Sequence, residues 1–138
     1  MKATLFALFV GLLMVGCGED IVDGLKLEDR NGVTYLQNEE TPFTGRARIF
    51  NENGLIEEKN FKDGKQDGLT THWYENGQKC SERNYKDNKL MSTVVWKPNG
   101  EKCPVTNFKD GNGSQVLYKE DGTEYYRFVF KDGKLVTN

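Results

Sequence analysis

The 138-residue sequence is poor in the residues that most catalytic and metal sites require. It has one histidine, three cysteines and three prolines, and it contains no CxxC motif. The missing motif excludes a zinc ribbon and a thioredoxin-like redox site. His72 is the sole candidate for a histidine ligand or catalytic base. We interpret it as a structural strand residue, and we expect neither a metal nor another cofactor.

The chain also lacks an excess of either charge. Its 19 Lys and Arg residues and 21 Asp and Glu residues give a net charge of −2 and are scattered singly. Binding to a phosphate backbone needs a basic stripe or patch. Nucleic acid is therefore not an expected partner, and the length predicts a single domain.

The first 17 residues differ sharply from the rest. Lys2 precedes an apolar run over residues 3–15, which is shorter than the roughly 20 residues of a membrane span but suits the core of a cleavable leader. The segment Leu13-Met14-Val15-Gly16-Cys17 resembles the bacterial lipobox, with Met14 where leucine is usual. The resemblance implies a lipoprotein signal peptide over residues 1–16 and lipid attachment at Cys17. An ordinary secreted protein and an uncleaved anchor are the alternatives.

Lipidation at Cys17 would make the membrane a partner of this protein. Several acyl chains on one residue give stable anchoring, so we expect a lipoprotein of the bacterial cell envelope. Gly18, rather than aspartate, follows the cysteine, which favours the outer membrane if the host has two membranes. Residues 17–30 are interpreted as a polar tether with a first strand at its end.

The rest of the chain is built from a repeated turn. Asn-Gly or Asp-Gly pairs recur at intervals of 23, 23 and 22 residues, and an aromatic residue stands four positions before each glycine. These aromatics are Phe50, Trp73, Trp96 and Tyr118, before Gly54, Gly77, Gly100 and Gly122. A second series, Lys-Asp-Gly or Lys-Asp-Asn, interleaves at residues 62, 86, 109 and 131. A period of this length is typical of a repeat array.

Each repeat is predicted to be one β-hairpin. Asn-Gly and Asp-Gly suit the primed turns of two-residue hairpins, and the Lys-Asp turns connect one hairpin to the next. We therefore predict an all-β fold, a single-layer antiparallel meander of stacked hairpins over residues 31–138. The segment at 31–36 is expected to form an atypical hairpin that caps the array.

The repeated residues also resemble a known family. Phe61-Lys-Asp-Gly-Lys-x-x-Gly68, followed by Trp73-Tyr-x-Asn-Gly77 and Tyr85-Lys-Asp87, is similar to the bacterial variant of the MORN repeat. The third repeat departs from this pattern, because Met91 replaces a glycine and Pro104 interrupts the second strand. The family implies a stack of hairpins and a binding role, without recognised catalytic residues. Many such proteins are labelled as antitoxins, and many are lipoproteins of unknown role.

The recurring aromatics form the main candidate binding site. Phe50, Trp73, Trp96 and Tyr118 could form a strip for a peptide or a glycan, or a ladder that packs one repeat on the next. We expect the acidic pairs Glu39-Glu40 and Glu57-Glu58 to be solvated charges.

Cys80 and Cys103 both stand three residues after a turn glycine. Equivalent positions of consecutive hairpins lie two strands, roughly 9.6 Å, apart. The Cα atoms of a disulfide are usually within about 7 Å. A disulfide between them is thus possible but not favoured.

These observations lead to one expected function and two alternatives. We expect a non-enzymatic, lipid-anchored envelope scaffold that binds a protein or a glycan, with a protein of unknown identity as the expected partner. The first alternative is an antitoxin or immunity protein that neutralises a partner toxin, which predicts a toxin gene next to its own. An envelope enzyme is a further alternative, and the lack of a catalytic constellation argues against it.

Overall fold

A computed structural model describes residues 20–136 of the chain, so the expected leader over residues 1–16 and Cys17 lie outside the described residues. The fold is all-β, as predicted. A single turn of 3-10 helix, Gly24–Lys26, interrupts the strands. Within residues 20–136, no helix has the length and apolar character needed to cross a membrane. The strands are β1 Ile21–Asp23, β2 Leu27–Arg30, β3 Val33–Leu36, β4 Gly45–Asn51, β5 Gly54–Lys62, β6 Lys65–Gln66, β7 Gly68–Trp73, β8 Lys79–Lys86, β9 Lys89–Val95, β10 Asn107–Lys109, β11 Asn112–Tyr118, β12 Glu124–Lys131 and β13 Lys134–Val136.

The strands form three sheets rather than one continuous meander. The largest has the order β1-β4-β5-β7-β8-β9, with β6 paired to β5; β10 to β13 form a second sheet and β2-β3 a third. All pairs are antiparallel except β1 with β4, which is parallel. Hairpin β2-β3 packs over one face of β4-β5, where Leu27 packs against the buried cluster that contains Ala47 and Phe61. The prediction of antiparallel hairpins is confirmed, but the prediction of a single uninterrupted layer is wrong.

The interruption lies in the third repeat. Trp96 forms only an isolated bridge with Lys102, and the returning strand is reduced to the three residues of β10. Pro104 stands in the gap and offers no backbone N–H to a neighbouring strand. Gly111 N donates instead to the Met91 carbonyl at 3.2 Å, which holds the second large sheet against β9.

The predicted tether is partly folded. The sequence interpretation assigned residues 17–30 to a tether with a first strand at its end. Strand β2 lies at that end, but residues 21–26 also contain β1 and the 3-10 turn. Arg46 N donates to the Asp20 carbonyl at 2.8 Å, so backbone pairing begins at the first described residue. Val22 and Leu27 pack on the core. The segment is rich in acidic residues, but it folds because these two apolar side chains are partly buried against the core.

The apolar core consists of two small clusters. One contains Phe43, Ala47 and Phe61, and the other contains Val95, Cys103 and Val116. Much of the remaining buried surface is polar: Thr70, Thr71, Ser81, Thr93 and Gln115. With its amide oxygen turned toward Arg83, Gln115 accepts hydrogen bonds from Nε at 3.0 Å and from Nη2 at 2.9 Å. This pair ties β8 of the first sheet to β11 of the second.

The two series of turns have different geometries. In the Lys-Asp series both central residues have positive φ, as at Asp63 (49°) and Gly64 (75°), and the flanking residues pair directly, as Lys62 does with Lys65. These are the expected primed two-residue turns. In the aromatic series only the glycine has positive φ, as at Gly77 (81°). There Gly77 N donates to the Tyr74 carbonyl and Tyr74 N to the Gln78 carbonyl, both at 2.9 Å, which makes a three-residue loop. The primed-turn prediction is therefore wrong for the Asn-Gly series.

Candidate binding surfaces

The four recurring aromatics stand at equivalent places in the fold. Phe50, Trp73 and Tyr118 lie at or next to the last residue of β4, β7 and β11, and Trp96 follows β9 directly. Each precedes one turn of the aromatic series. We call these four turns, at residues 51–54, 74–77, 97–100 and 119–122, the turn edge. Phe50 is 60% exposed, and the other three aromatics are half-buried.

Neighbouring turns contact each other along the turn edge. In the second turn, Asn76 Nδ2 donates to the Pro98 carbonyl of the third at 3.0 Å, and Glu75 N donates to Glu120 Oε1 of the fourth at 3.0 Å. The Asn76 side chain also accepts from Gln78 N at 2.9 Å. Asn99 and Asp121 repeat this local bond with Glu101 and Thr123. The asparagine and aspartate of each turn therefore fix its shape, and Asn76 also links it to the next turn.

The aromatics of the strip do not stack on one another. None of the ring–ring contacts within the described part of the chain joins two of the four. Lysines lie against them instead: Lys79 Nζ is 5.9 Å from the centre of the Trp96 ring, and Lys97 Nζ is 5.9 Å from that of Tyr118. These are cation–π pairs, and both rings are half-buried.

Tyr74 was not singled out by the repeat alignment. It is a residue of the turn edge, and its side chain supports that edge from the interior of the protein. Its side chain is buried, and Tyr74 Oη donates to the Trp96 carbonyl at 2.8 Å. Burial, followed by the nearby Cys80 thiol, raises the pKa of this phenol. Tyrosine occurs at this position of the repeat only once, because the others have Asn51, Lys97 and Lys119. A search for recurring residues therefore could not find it.

Two clefts open between successive turns. The first, of about 280 Å³, lies between Asn51, Asn53 and Leu55 on one side and Trp73 and Glu75 on the other. The second, of about 270 Å³, lies between the turns at 97–99 and 120–122. Each cleft combines amide and carboxylate groups, and the first adds an indole. The lining of both clefts can hydrogen-bond to a ligand, and that of the first can also stack against it.

A row of polar side chains crosses the sheet from β5 to β8. His72 Nε2 lies 2.7 Å from Glu57 Oε1, and Ser81 Oγ lies 3.3 Å from His72 Nδ1. Glu57 and His72 are partners in the sheet register, as are His72 and Ser81. Lys59 Nζ completes the row at 2.9 Å from Glu57. Burial acts to raise the pKa of Glu57, but the hydrogen bonds from His72 and Lys59 outweigh it and lower the pKa to about 2.

The order Glu57–His72–Ser81 has the connectivity of a catalytic triad. Ser81, however, is only 1% exposed, so a substrate carbonyl could not reach its hydroxyl in this conformation. His72 lies where the sequence interpretation put it, in a strand and part-exposed beside Trp73. The row satisfies polar groups that would otherwise be buried without partners.

The prediction that Glu57 and Glu58 are solvated is wrong. Their side chains are only 15% and 21% exposed. They point to opposite faces of β5, and Glu58 Oε2 accepts from Arg48 Nε at 2.6 Å on the face away from Glu57. Each part-buried carboxylate has polar partners: Glu58 pairs with Arg48 on β4, and Glu57 contacts Lys59 on its own strand and His72 on β7. Glu40, by contrast, is 95% exposed, as predicted.

Cys80 and Cys103 are not bonded to each other. Burial raises the pKa of the Cys80 thiol. Cys103 Sγ lies 3.0 Å from Tyr118 Oη. Burial acts to raise the pKa of the Cys103 thiol, but hydrogen bonds from Thr106 and Tyr118 lower it overall. The sulfur of Cys103 therefore helps to fix one aromatic of the strip.

Within residues 20–136, no group of three or more His, Cys, Asp or Glu side chains is placed to hold a metal ion. The chain matches no protein-family model, no curated protein and no solved structure.

Proposed function

We propose that this protein is a MORN-variant repeat scaffold, anchored in a bacterial cell envelope through a lipidated Cys17, that binds another protein along its turn edge and catalyses no reaction. The observation that carries the proposal is the row of part-exposed aromatics with clefts between the turns that follow them. Aromatic side chains that keep exposed surface are enriched in protein interfaces, where they act as anchors.

The chemistry of the turn edge favours a protein partner. Lysine ammonium groups beside the rings of Trp96 and Tyr118 and the carboxylates of Glu75 and Glu120 place both signs of charge on one surface. A polypeptide presents apolar, cationic and anionic groups together. The clefts, each near 280 Å³, accept single side chains rather than a whole small-molecule ligand.

Photocrosslinking in the intact envelope tests this proposal. A photoreactive amino acid replaces Glu52, which is exposed on the turn edge, in the full chain. We expect a crosslinked product that a protease shortens and a glycosidase leaves unchanged. The double variant Trp73→Ala, Trp96→Ala should lose this product. Tyr125→Ala removes an exposed aromatic of β12 and should keep it.

Two results would contradict the proposal. A product that persists in the double variant, with circular dichroism confirming the fold, would remove the strip from the binding site. A product shortened by glycosidase alone would identify a glycan as the partner instead of a protein.

A further inference from the structure

Asparagine followed directly by glycine recurs in this chain and makes a chemically reactive pair. It occurs five times, at Asn31, Asn53, Asn76, Asn99 and Asn112, and all five asparagines are exposed. Glycine has no Cβ that would hinder its backbone nitrogen, so this nitrogen can attack the side-chain amide carbon of the preceding asparagine. The five pairs differ in how firmly the fold holds that side chain.

The reaction needs no reagent besides water. The glycine nitrogen attacks the asparagine Cγ, the bond from Cγ to Nδ2 breaks, and the side-chain nitrogen leaves as ammonia together with the former amide proton of glycine. Water then opens the resulting succinimide ring at either of its two carbonyls, which yields aspartate or isoaspartate. Cγ must turn toward the glycine nitrogen before the ring can close. Hydrogen bonds that hold the asparagine amide therefore slow the reaction.

Two of the asparagines are held at both ends of the side-chain amide. Asn76 Nδ2 donates to the Pro98 carbonyl at 3.0 Å, and Asn76 Oδ1 accepts from Gln78 N at 2.9 Å. Asn112 also donates through Nδ2 and accepts through Oδ1. Both bonds must break before Cγ can turn, so we expect these two positions to be the best protected.

Two further asparagines are restrained at one point. Asn99 Oδ1 accepts from Glu101 N at 3.0 Å. At Asn31 the restraint acts on the attacking group, because Gly32 N donates to Asp29 Oδ1 at 2.9 Å. The neighbouring carboxylate also opposes loss of the amide proton, which the attack requires. Both positions should react at intermediate rates.

The side chain of Asn53 is the least restrained. No group within residues 20–136 forms a hydrogen bond with it. Its turn is fixed by Asn51 instead, whose Oδ1 accepts from Asn53 N at 2.9 Å. Gly54 belongs to the last pair of the β4-β5 ladder, where pairing is most easily lost. A Cβ on Gly54 would meet nothing within 4 Å, so the space around the attacking nitrogen is open.

We propose that Asn53 is a site of spontaneous modification in the folded protein, where cyclisation on Gly54 converts it to aspartate and isoaspartate before the other four asparagines react. The product adds a carboxylate to the first cleft of the turn edge, whose lining includes both Asn53 and Glu75. The added charge disfavours an anionic group on a ligand. This effect on binding rests on the function proposed above, whereas the conversion itself does not.

The fourth turn shows what the aspartate product does to a turn of this series. Asp121 precedes Gly122 there, and its carboxylate accepts from Thr123 N at 2.8 Å, as an asparagine amide does in the second and third turns. Aspartate is therefore compatible with the fold of such a turn. Isoaspartate instead places Cβ in the main chain, which lengthens the turn and disturbs the pairing of its flanking strands.

Peptide mapping by mass spectrometry on the full chain tests the proposal. The protein is incubated at pH 8 in heavy-oxygen water, so that the label marks conversion during the incubation and not during digestion. A second sample is kept unfolded in guanidinium chloride, where the fold protects no site. We expect the rates at Asn53 in the two samples to agree within about threefold, and Asn76 to react at least about tenfold more slowly when folded, because two hydrogen bonds must break.

Two variants sharpen the test. Asn53→Gln keeps an amide but would have to close a larger ring, so it should remove conversion at this position and leave the other rates unchanged. Asp121→Asn creates a further Asn-Gly pair whose side chain can keep the bond to Thr123 N, and it should react more slowly than Asn53 in the folded protein. Circular dichroism before and after incubation verifies that each protein is folded.

Three results would overturn the proposal. A rate at Asn53 that is about tenfold or more lower in the folded sample would show that its turn protects it. Equal rates at all five asparagines of the folded protein would mean that exposure alone governs the reaction. Faster conversion of Asn76 or Asn112 than of Asn53 would show that the hydrogen bonds give no protection.

Discussion

At the scale of single residues, Glu57 is the most strongly perturbed carboxylate of the described chain. Its side chain is 15% exposed and accepts from both His72 and Lys59. The sequence could not predict this, because Glu57 and His72 are fifteen positions apart and meet only through the register of β5 with β7. Their contact depends on which hairpin residues pair, and the sheet decides that as a whole.

The lowered pKa of Glu57 predicts a particular pH dependence of stability. A carboxyl whose pKa falls from its ordinary 4.5 to about 2 on folding stabilises the folded state fully above about pH 4.5, and this contribution disappears as the pH falls through 2. Glu57→Gln should therefore lower the free energy of unfolding by about 1 to 3 kcal/mol at pH 6. At pH 2 the difference should be less than half as large.

Urea unfolding of the wild type and the variant between pH 6 and pH 2 measures this difference. Glu40→Gln is the control, since its side chain is 95% exposed and should matter little at any pH. A Glu57→Gln penalty of the same size at pH 2 and pH 6 would show that packing, rather than charge, is responsible.

At the scale of elements, the two series of turns differ in what surrounds their glycines. Gly64 and Gly77 both have positive φ, but a Cβ on Gly64 would come within 2.4 Å of Val33 Cγ1 and 2.9 Å of the Thr34 carbonyl, whereas a Cβ on Gly77 would meet nothing within 4 Å. The Lys-Asp turn of the first repeat is thus packed against hairpin β2-β3. The turn at Gly77 is open to solvent.

Alanine at the two positions should separate backbone strain from crowding. Gly77→Ala incurs only the left-handed backbone cost of about 1 to 2 kcal/mol. Gly64→Ala incurs that cost and a further penalty of about 1 to 3 kcal/mol for overpacking. Thermal and urea unfolding of both variants checks the order. Equal losses would indicate that hairpin β2-β3 moves away at little cost.

The elements themselves were largely predictable from the sequence, and their local geometry only in part. Asp-Gly after a lysine gave the primed turn wherever it occurs. Asn-Gly after an aromatic predicted the same turn, but the side chain of Asn76 accepts a hydrogen bond from Gln78 N and favours a three-residue loop. Here side-chain hydrogen bonding competes with backbone preference.

At the scale of the whole molecule, the regular period of the repeats predicted one continuous sheet. The structure instead has separate sheets, with a break in the third repeat. Pro104 and Met91 were visible in the sequence as departures from the repeat, and the break follows them. The sequence interpretation expected a strand only at the end of residues 17–30 and did not predict that β1 and β2 fold onto the array, because residues 21–30 lie before the repeated region. The same segment lines a cavity between hairpin β2-β3 and strands β4-β5. An alignment of the repeats could not reveal this cavity.

The proposed lipid anchor leads to a prediction for the whole molecule. Cys17→Ser should move the protein from the membrane fraction to the soluble fraction of the envelope, because the proposed acyl chains can no longer be attached. Membrane fractionation and the intact mass of the mature protein check this. A variant that remains membrane-bound after cleavage of its leader would contradict the proposal. If the leader is uncleaved, the mass reveals it.

The parallel pairing of β1 with β4 has a mechanical consequence. Ile21, Val22 and Asp23 run alongside Arg46, Ala47 and Arg48 in the same direction, and the chain reaches β1 directly from its N-terminal side. A pull applied at the N-terminus and resisted through the end of β4 acts along the strands, so it loads their hydrogen bonds together, in shear. For a pull in these directions, the three residues of β1 carry the load through their hydrogen bonds to β4, and those bonds break together rather than one after another.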